Sequence, residues 1–239
     1  MIDELKVYKQ SVISEIIFQG LDKSVTMKDS GIEWIGKVPN HWEISPIKNY
    51  VSNNDDSLSE NDSSDKIINY IEISSVSNSG EIQNVQTLRF SEAPSRARRI
   101  VRTNDVIISC VRTYLKSIAR ITEDYNEFIC STGFAVLRPE KNINPKFLYY
   151  YLFTDTFTNV VEANSTGISY PAINSSKLIN LKILIPPLSE QTTISNLLDF
   201  KSLEIDTLIS IKQNKIQELN EYKKSIIYEY ITGKKEVAI

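Results

Sequence analysis

From Leu188 to Thr232 the chain contains neither proline nor glycine, the two residues that most strongly break helices. Along this stretch Ile194, Leu198, Ile205, Leu208 or Ile209, Ile216, Leu219 and Ile226 recur at steps of three, four and their sum of seven, with Lys201, Lys212 and Lys223 interrupting the stripe. The pattern predicts a helix over 188–233, about 60 Å long at 1.5 Å per residue. A helix of that length cannot bury its stripe against one small domain, so it needs a partner helix. Coiled-coil pairing through Ile194, Leu198, Ile205, Leu208, Ile216, Leu219 and Ile226 is the expectation. Pro186-Pro187 closes what precedes, Ser189 is the expected N-cap, and Glu190 lies in the first turn to complement the helix dipole.

The two ends of the chain repeat each other. Residues 2–17 match 216–231 at a constant offset of 214, with nine of sixteen positions identical. Solenoid repeats recur every 20 to 50 residues, so this is one helical element used twice around a single globular domain. Ile2, Leu5, Val12, Ile13, Ile16 and Ile17 give the first copy an apolar face, and Gly20 is its expected C′ stop. The organisation read from these signals is an N-terminal helix (1–20), a globular domain (21–187), a helical coiled-coil region (188–233) and a tail (234–239). The fold class is α+β.

Within the globular part, Trp34, Ile35, Trp42 and Ile44 look like an apolar plug that starts the core. Residues 53–65 hold five acidic side chains and no basic one, which reads as a mobile surface loop. Ile68–Ile73, Asp105–Ser109, Phe134–Leu137 and Leu181–Ile185 read as strands. Lys146–Val161 reads as one helix with an aromatic buried face. No apolar run approaches the roughly 18 residues of a membrane span, and no signal peptide is visible. Two cysteines and one histidine cannot assemble a zinc site. The expected setting is the cytoplasm, with reduced thiols.

The net charge of −3 conceals a local field of the opposite sign. All eight arginines lie between Arg89 and Arg138, and from Arg89 to Arg120 eight basic residues face only Glu92 and Asp105. Arginine suits bidentate recognition of phosphate and of guanine edges, and a local patch steers DNA more than the global sum does. The other reading is that these arginines pair with acidic residues elsewhere. Arg96, Arg98, Arg99, Arg112 and Lys116 are the candidate DNA contacts, followed by Tyr170 and the polar loop Ser165-Thr166-Gly167-Ile168-Ser169. Catalysis leaves little trace. The seven glycines form no phosphate cradle, Asn144-Pro145-Lys146-Phe147 departs from the methyltransferase pattern at its third residue, and no nucleophile is marked near His41. The chain reads as a binder, without cofactor or metal.

Several stretches together resemble the specificity subunits of type I restriction–modification systems. Met27–Glu43 (MKDSGIEWIGKVPNHWE) is similar to the segment that opens a target-recognition domain in that family, and Ile185–Gln191 (IPPLSEQ) to the motif that closes it. Tyr222–Ile227 is similar to the end of the helix that follows, while Asn104–Ser109 and Ser131–Phe134 resemble weaker internal blocks. The resemblance implies a half-length form with one recognition domain, reading one half of a split double-stranded DNA target without chemistry of its own. It implies docking to methyltransferase subunits and, through the complex, to a restriction motor subunit. S-adenosylmethionine, ATP and Mg²⁺ would then sit on those partners. It implies a homodimer, or a pair with another half-subunit. The alternative is a non-reading assembly or regulatory factor that binds the methyltransferase or another specificity subunit through its helices.

Overall fold

A computed structural model describes residues 2–234. The expected tail lies outside the described residues except for Lys234. The chain forms two compact units, Ile13–Asn196 and, as far as its residues are described, Met1–Val12 with Leu197–Ile239. The mixed α+β class expected from the periodicities is the one observed.

Helix α1 (Ile2–Gln19) opens the chain. Among the described residues twelve strands follow: β1 (Met27–Asp29), β2 (Lys37–Pro39), β3 (Glu43–Pro46), β4 (Val51–Asn53), β5 (Ile67–Ile71), β6 (Gln86–Arg89), β7 (Ala97–Ile100), β8 (Val106–Ser109), β9 (Ile118–Arg120), β10 (Ile129–Ser131), β11 (Phe134–Pro139) and β12 (Lys182–Ile185). Helices α2 (Pro145–Leu152), α3 (Asp155–Ala163) and α4 (Ser175–Leu178) lie between β11 and β12, and α5 (Leu188–Ile231) closes the chain.

In the Ile13–Asn196 unit the strands build two four-stranded sheets, ordered β6-β5-β10-β7 and β4-β11-β8-β9. Strand β10 runs parallel to β5 and antiparallel to β7, whereas β11 is antiparallel to both neighbours. Thr132-Gly133 carries the chain from one sheet to the other. A Cβ on Gly133 would lie 2.7 Å from Ile73 Cδ1 and 3.2 Å from Val111 Cγ2, so any side chain there would force Ile73 to shift. Ile71, Val101, Ile107, Ala119, Cys130, Phe134 and Val136 belong to one buried core cluster.

Three local readings are corrected. The helix expected over Lys146–Val161 is two helices. Thr154 accepts a hydrogen bond from Phe157 N (3.3 Å) and donates to Tyr151 O (2.8 Å), starting α3 afresh. Ser189 does not cap α5, because Pro187 O already accepts from Gln191 N (2.9 Å) and Ser189 sits inside the first turn. The acidic 53–65 segment is pinned at its start. Leu58 is buried, its N–H donates to Arg98 O (2.7 Å), and Ile100 N donates to Asp56 O (3.0 Å).

The opening and closing segments meet inside this unit. Glu190 Oε2 accepts from Trp42 Nε1 (3.1 Å) and lies 2.9 Å from His41 Nε2. Gly20 ends α1 at φ +72°, and a Cβ there would meet the Trp42 ring at 3.1 Å. Gln191, fully buried, accepts from Asn144 N (2.8 Å) and donates to Pro186 O (2.9 Å). The sequence position of Glu190 suggested a dipole role, and its contacts add a second one at the junction.

In the other unit, Lys9 Nζ of α1 lies 2.7 Å from Asp206 Oδ2 of α5. Of the seven expected helix-pairing residues, Ile194, Leu198 and Ile205 are buried and Ile226 is half-buried, while Leu208, Ile216 and Leu219 are exposed. The seam therefore divides along its length into a covered stretch and an open one.

Candidate nucleic-acid interface

Strand β8 ends at Ser109, whose hydroxyl donates to Val111 O (2.6 Å) and starts a tight turn. A single helical turn, Thr113–Leu115, follows between two residues in the left-handed region, Arg112 (φ 51°) and Lys116 (φ 50°). Non-glycine residues there cost roughly 1–2 kcal/mol each and persist only where the surroundings hold them. Thr113 supplies that hold. It is buried, its Oγ1 lies 3.1 Å from Ser165 Oγ, and its N–H reaches Pro171 O (3.4 Å).

The 165–172 loop is a closed hairpin. Thr166 N donates to Ala172 O (2.8 Å) and Ala172 N returns to Thr166 O (2.9 Å), with Gly167 at φ +106°. Ile173 N then donates to Cys110 O (2.9 Å), and Val111 bridges Ala172, so the two segments form one ladder. On the other side, Cys110 N donates to Gly133 O and Thr132 N to Arg96 O, both at 2.8 Å. Arg96, Thr132-Gly133, Cys110–Arg112, Ala172 and Thr166 thus lie on consecutive rungs of one rim, spanning about 19 Å at the usual strand spacing. Ile168, Tyr170, Tyr114 and Leu115 are exposed on it, and the Arg112 guanidinium lies 5.0 Å from the Tyr170 ring centre.

The basic residues sort into two groups. Arg89, Arg102 and Arg138 pair with carboxylates: Asp65 (3.4 Å), Asp56 (2.9 Å), and both Asp56 (2.9 Å) and Asp105 (3.0 Å). Lys116 pairs with Asp155 at 2.6 Å. Arg120 donates to Asn104 Oδ1 (3.0 Å). Arg99 turns inward, donating to Asn54 Oδ1 (2.6 Å) and to Phe134 O, and burial lowers the pKa of its guanidinium. Arg98 stacks on Phe90 at 4.7 Å and donates to Ala97 O (3.0 Å). Arg96 and Arg112 are exposed and, among the described residues, have no carboxylate partner. The structure therefore brings Arg96, Arg112, Lys116, Ser165, Thr166 and Tyr170 to one rim, with Arg98 one residue along β7, and turns Arg99 into the protein. Sequence reasoning missed Tyr114 and Leu115, whose signal was the basic-flanked run Arg112-Thr113-Tyr114-Leu115-Lys116.

Burial pushes the Cys110 thiol up to about 11 and that of Cys130 to about 12, so both are poor nucleophiles. Among the described residues, no three His, Cys, Asp or Glu side chains are grouped to hold a metal ion, and no helix is long and apolar enough to cross a membrane.

Asp56 anchors the acidic loop, and hydrogen bonds from Arg138 and then Arg102 hold its carboxyl below the ordinary value. A lowered carboxylate adds stability above its unfolded pKa and loses it as pH falls through the folded one. Asp56→Asn should therefore flatten the fall in unfolding stability below about pH 4. An acid limb identical to that of the parent protein would show that these bonds do not set it.

Residues 39–221 match the family model of the type I restriction modification DNA specificity domain. The chain belongs to that family. The specificity-domain chain is 24% identical over 241 residues to the type I restriction enzyme MjaVIII specificity subunit of Methanocaldococcus jannaschii, covering 98% of this chain and 55% of that protein. It is 28% identical over 211 residues to the putative MjaX specificity subunit of the same organism, covering 83% and 47%. In three dimensions it is similar to the HsdS subunit from Thermoanaerobacter tengcongensis, with TM-score 0.62 and 30% identity over 76% of this chain and 48% of that one. A second solved chain, from a study of the assembly and conformational transition of the type I system, has TM-score 0.66 at 27% identity, covering 79% and 50%. The specificity-domain chain spans about half the length of the curated relatives it matches.

Proposed function

We propose that this specificity-domain chain reads one half of a split double-stranded DNA target through the rim of Arg96, Arg112, Tyr114 and Tyr170. The observation that carries the reading is the pairing pattern. In a protein of net charge −3, most of the clustered cations are committed internally, and the two exposed arginines without an acidic partner lie on one aromatic-lined rim. Such a surface combines phosphate attraction with side chains able to meet base edges. The chain acts without chemistry of its own, in the cytoplasm. Its helices dock methyltransferase subunits and, through them, the restriction motor subunit, and S-adenosylmethionine, ATP and Mg²⁺ belong to those partners. Methylome sequencing of cells carrying this chain with its methyltransferase tests the reading. A split methylated motif is the expected result, palindromic for a homodimer and asymmetric for a mixed pair. An assembled methyltransferase complex that methylates no defined motif would refute DNA reading and leave an assembly or regulatory role.

A further inference from the structure

The 165–172 hairpin carries at its tip a side chain that folding does not use. Ile168 is fully exposed, and an isoleucine left in water forfeits the burial that would otherwise stabilise the protein. Its support is stiff. Thr166 and Ala172 exchange two backbone bonds of 2.8 and 2.9 Å below it, and the turn at Gly167 is so tight that a Cβ there would stand 3.1 Å from Tyr170 O. The root of the hairpin is tied on three sides. Ser165 Oγ donates to Val161 O in the last turn of α3 (2.8 Å), Lys177 Nζ of α4 donates to Asn164 O (2.8 Å), and Ile173 N donates to Cys110 O (2.9 Å). Ile168 is itself β-branched, so its χ1 rotation is restricted as well.

The surroundings of the tip suit a polyanion. From Ala163 to Ser189 the chain carries no carboxylate. Two residues beyond Ile168, the exposed Tyr170 ring lies 5.0 Å from the Arg112 guanidinium, so an aromatic face and a cation flank the apolar tip.

We infer that Ile168 is a wedge: resting on the reading of this rim as the DNA surface, it enters one base step of the bound duplex and partly unstacks it. Tyr170 then covers the base face so exposed, and Arg112 holds an adjacent phosphate. Apolar side chains inserted between base steps bend duplexes in this way. Pyrimidine–purine steps, TA or CA/TG, yield most easily. The hairpin thus adds specificity through the deformability of a step whose base edges it need not touch.

Fluorescence and binding measurements on the assembled methyltransferase complex test this. The probe is a duplex carrying the methylated motif, with 2-aminopurine placed in turn along the half-site but not at the methylated base, which methyltransferases flip out. Fluorescence at one step should rise on binding. Ile168→Ala should abolish that rise and weaken binding about tenfold or more, the burial of one isoleucine expressed as affinity. Ile168→Leu should restore both, and folding should be unaffected because the position is exposed. On a duplex with an abasic site at that step, whose stacking is already broken, Ile168→Ala should bind as the parent does. A fluorescence rise or an affinity that Ile168→Ala leaves unchanged overturns the wedge while the parent's specific binding keeps the DNA reading standing. Weaker binding by Ile168→Ala with no fluorescence rise in the parent, matched by replacing a thymine with deoxyuridine, also overturns it, since Ile168 would then meet a thymine methyl from the groove. A parent complex that binds no motif overturns both readings.

Discussion

Replacing Arg96 and Arg112 with alanine should lower the affinity of the assembled methyltransferase complex for its target duplex by a hundredfold or more, taking about 1.5–3 kcal/mol for each charge-assisted contact. The same double variant should reduce the slope of log affinity against log salt by about 1.8, since each phosphate contact contributes about 0.9. Both residues are exposed and neither is paired with a carboxylate among the described residues, so folding should be little affected. Arg99→Ala is the matched contrast. Its guanidinium is half-buried and donates to Asn54 and Phe134 O, so its loss should lower stability and leave the salt slope intact. Filter or fluorescence binding across a salt series reads both quantities. If Arg99→Ala flattened the slope and the Arg96/Arg112 pair did not, the rim would be the wrong surface.

That contrast marks where the sequence stops being legible. Arg96, Arg98, Arg99 and Arg112 look alike along the chain, and only tertiary contacts sort them. The partners responsible, Asp56 for Arg102 and Arg138 or Asn54 for Arg99, lie 45 to 82 residues away. Local signals fared better because their physics is local. Gly20 ends α1 at positive φ, and α5 runs without interruption from Leu188 to Ile231 because nothing in it breaks a helix. Thr154 shows the limit of periodicity. The aromatic spacing of Phe147, Tyr151 and Phe157 continues across it, yet one buried hydroxyl starts a new helix. The rim was half legible. The 165–170 loop was marked by its polar and glycine content, but its pairing with 110–112 rests on long-range backbone bonds that no spacing encodes. The repeated ends were legible as a repeat, while the burial of Ile13 and Ile17 against the exposure of their counterparts Ile227 and Ile231 was not.

Trp42→Ala should cost the Ile13–Asn196 unit about 3–5 kcal/mol, the usual range for removing a buried aromatic side chain. Trp42 is 1% exposed, its ring packs against Gly20 at the end of α1, and its Nε1 donates to Glu190 in the first turn of α5. Lys28 Nζ donates to its carbonyl at 2.7 Å, so β1 is tied to the same residue. A single residue thus joins the opening segment, through its carbonyl, and the end of α1 and the start of α5, through its side chain. Against a total stability of about 5–15 kcal/mol, and at 2–4 °C per kcal/mol for a unit of this size, the melting temperature should fall by about 10 °C. Trp42→Phe separates the two contributions. It keeps most of the ring volume and removes the Nε1–H bond, leaving Glu190 with His41, so about 1 kcal/mol should be lost. Calorimetry of both variants decides between packing and hydrogen bonding. Equal losses would assign the junction to the Trp42–Glu190 bond. A loss below about 1 kcal/mol for Trp42→Ala would mean that the surrounding segments close over the cavity, a collapse that core deletions rarely complete.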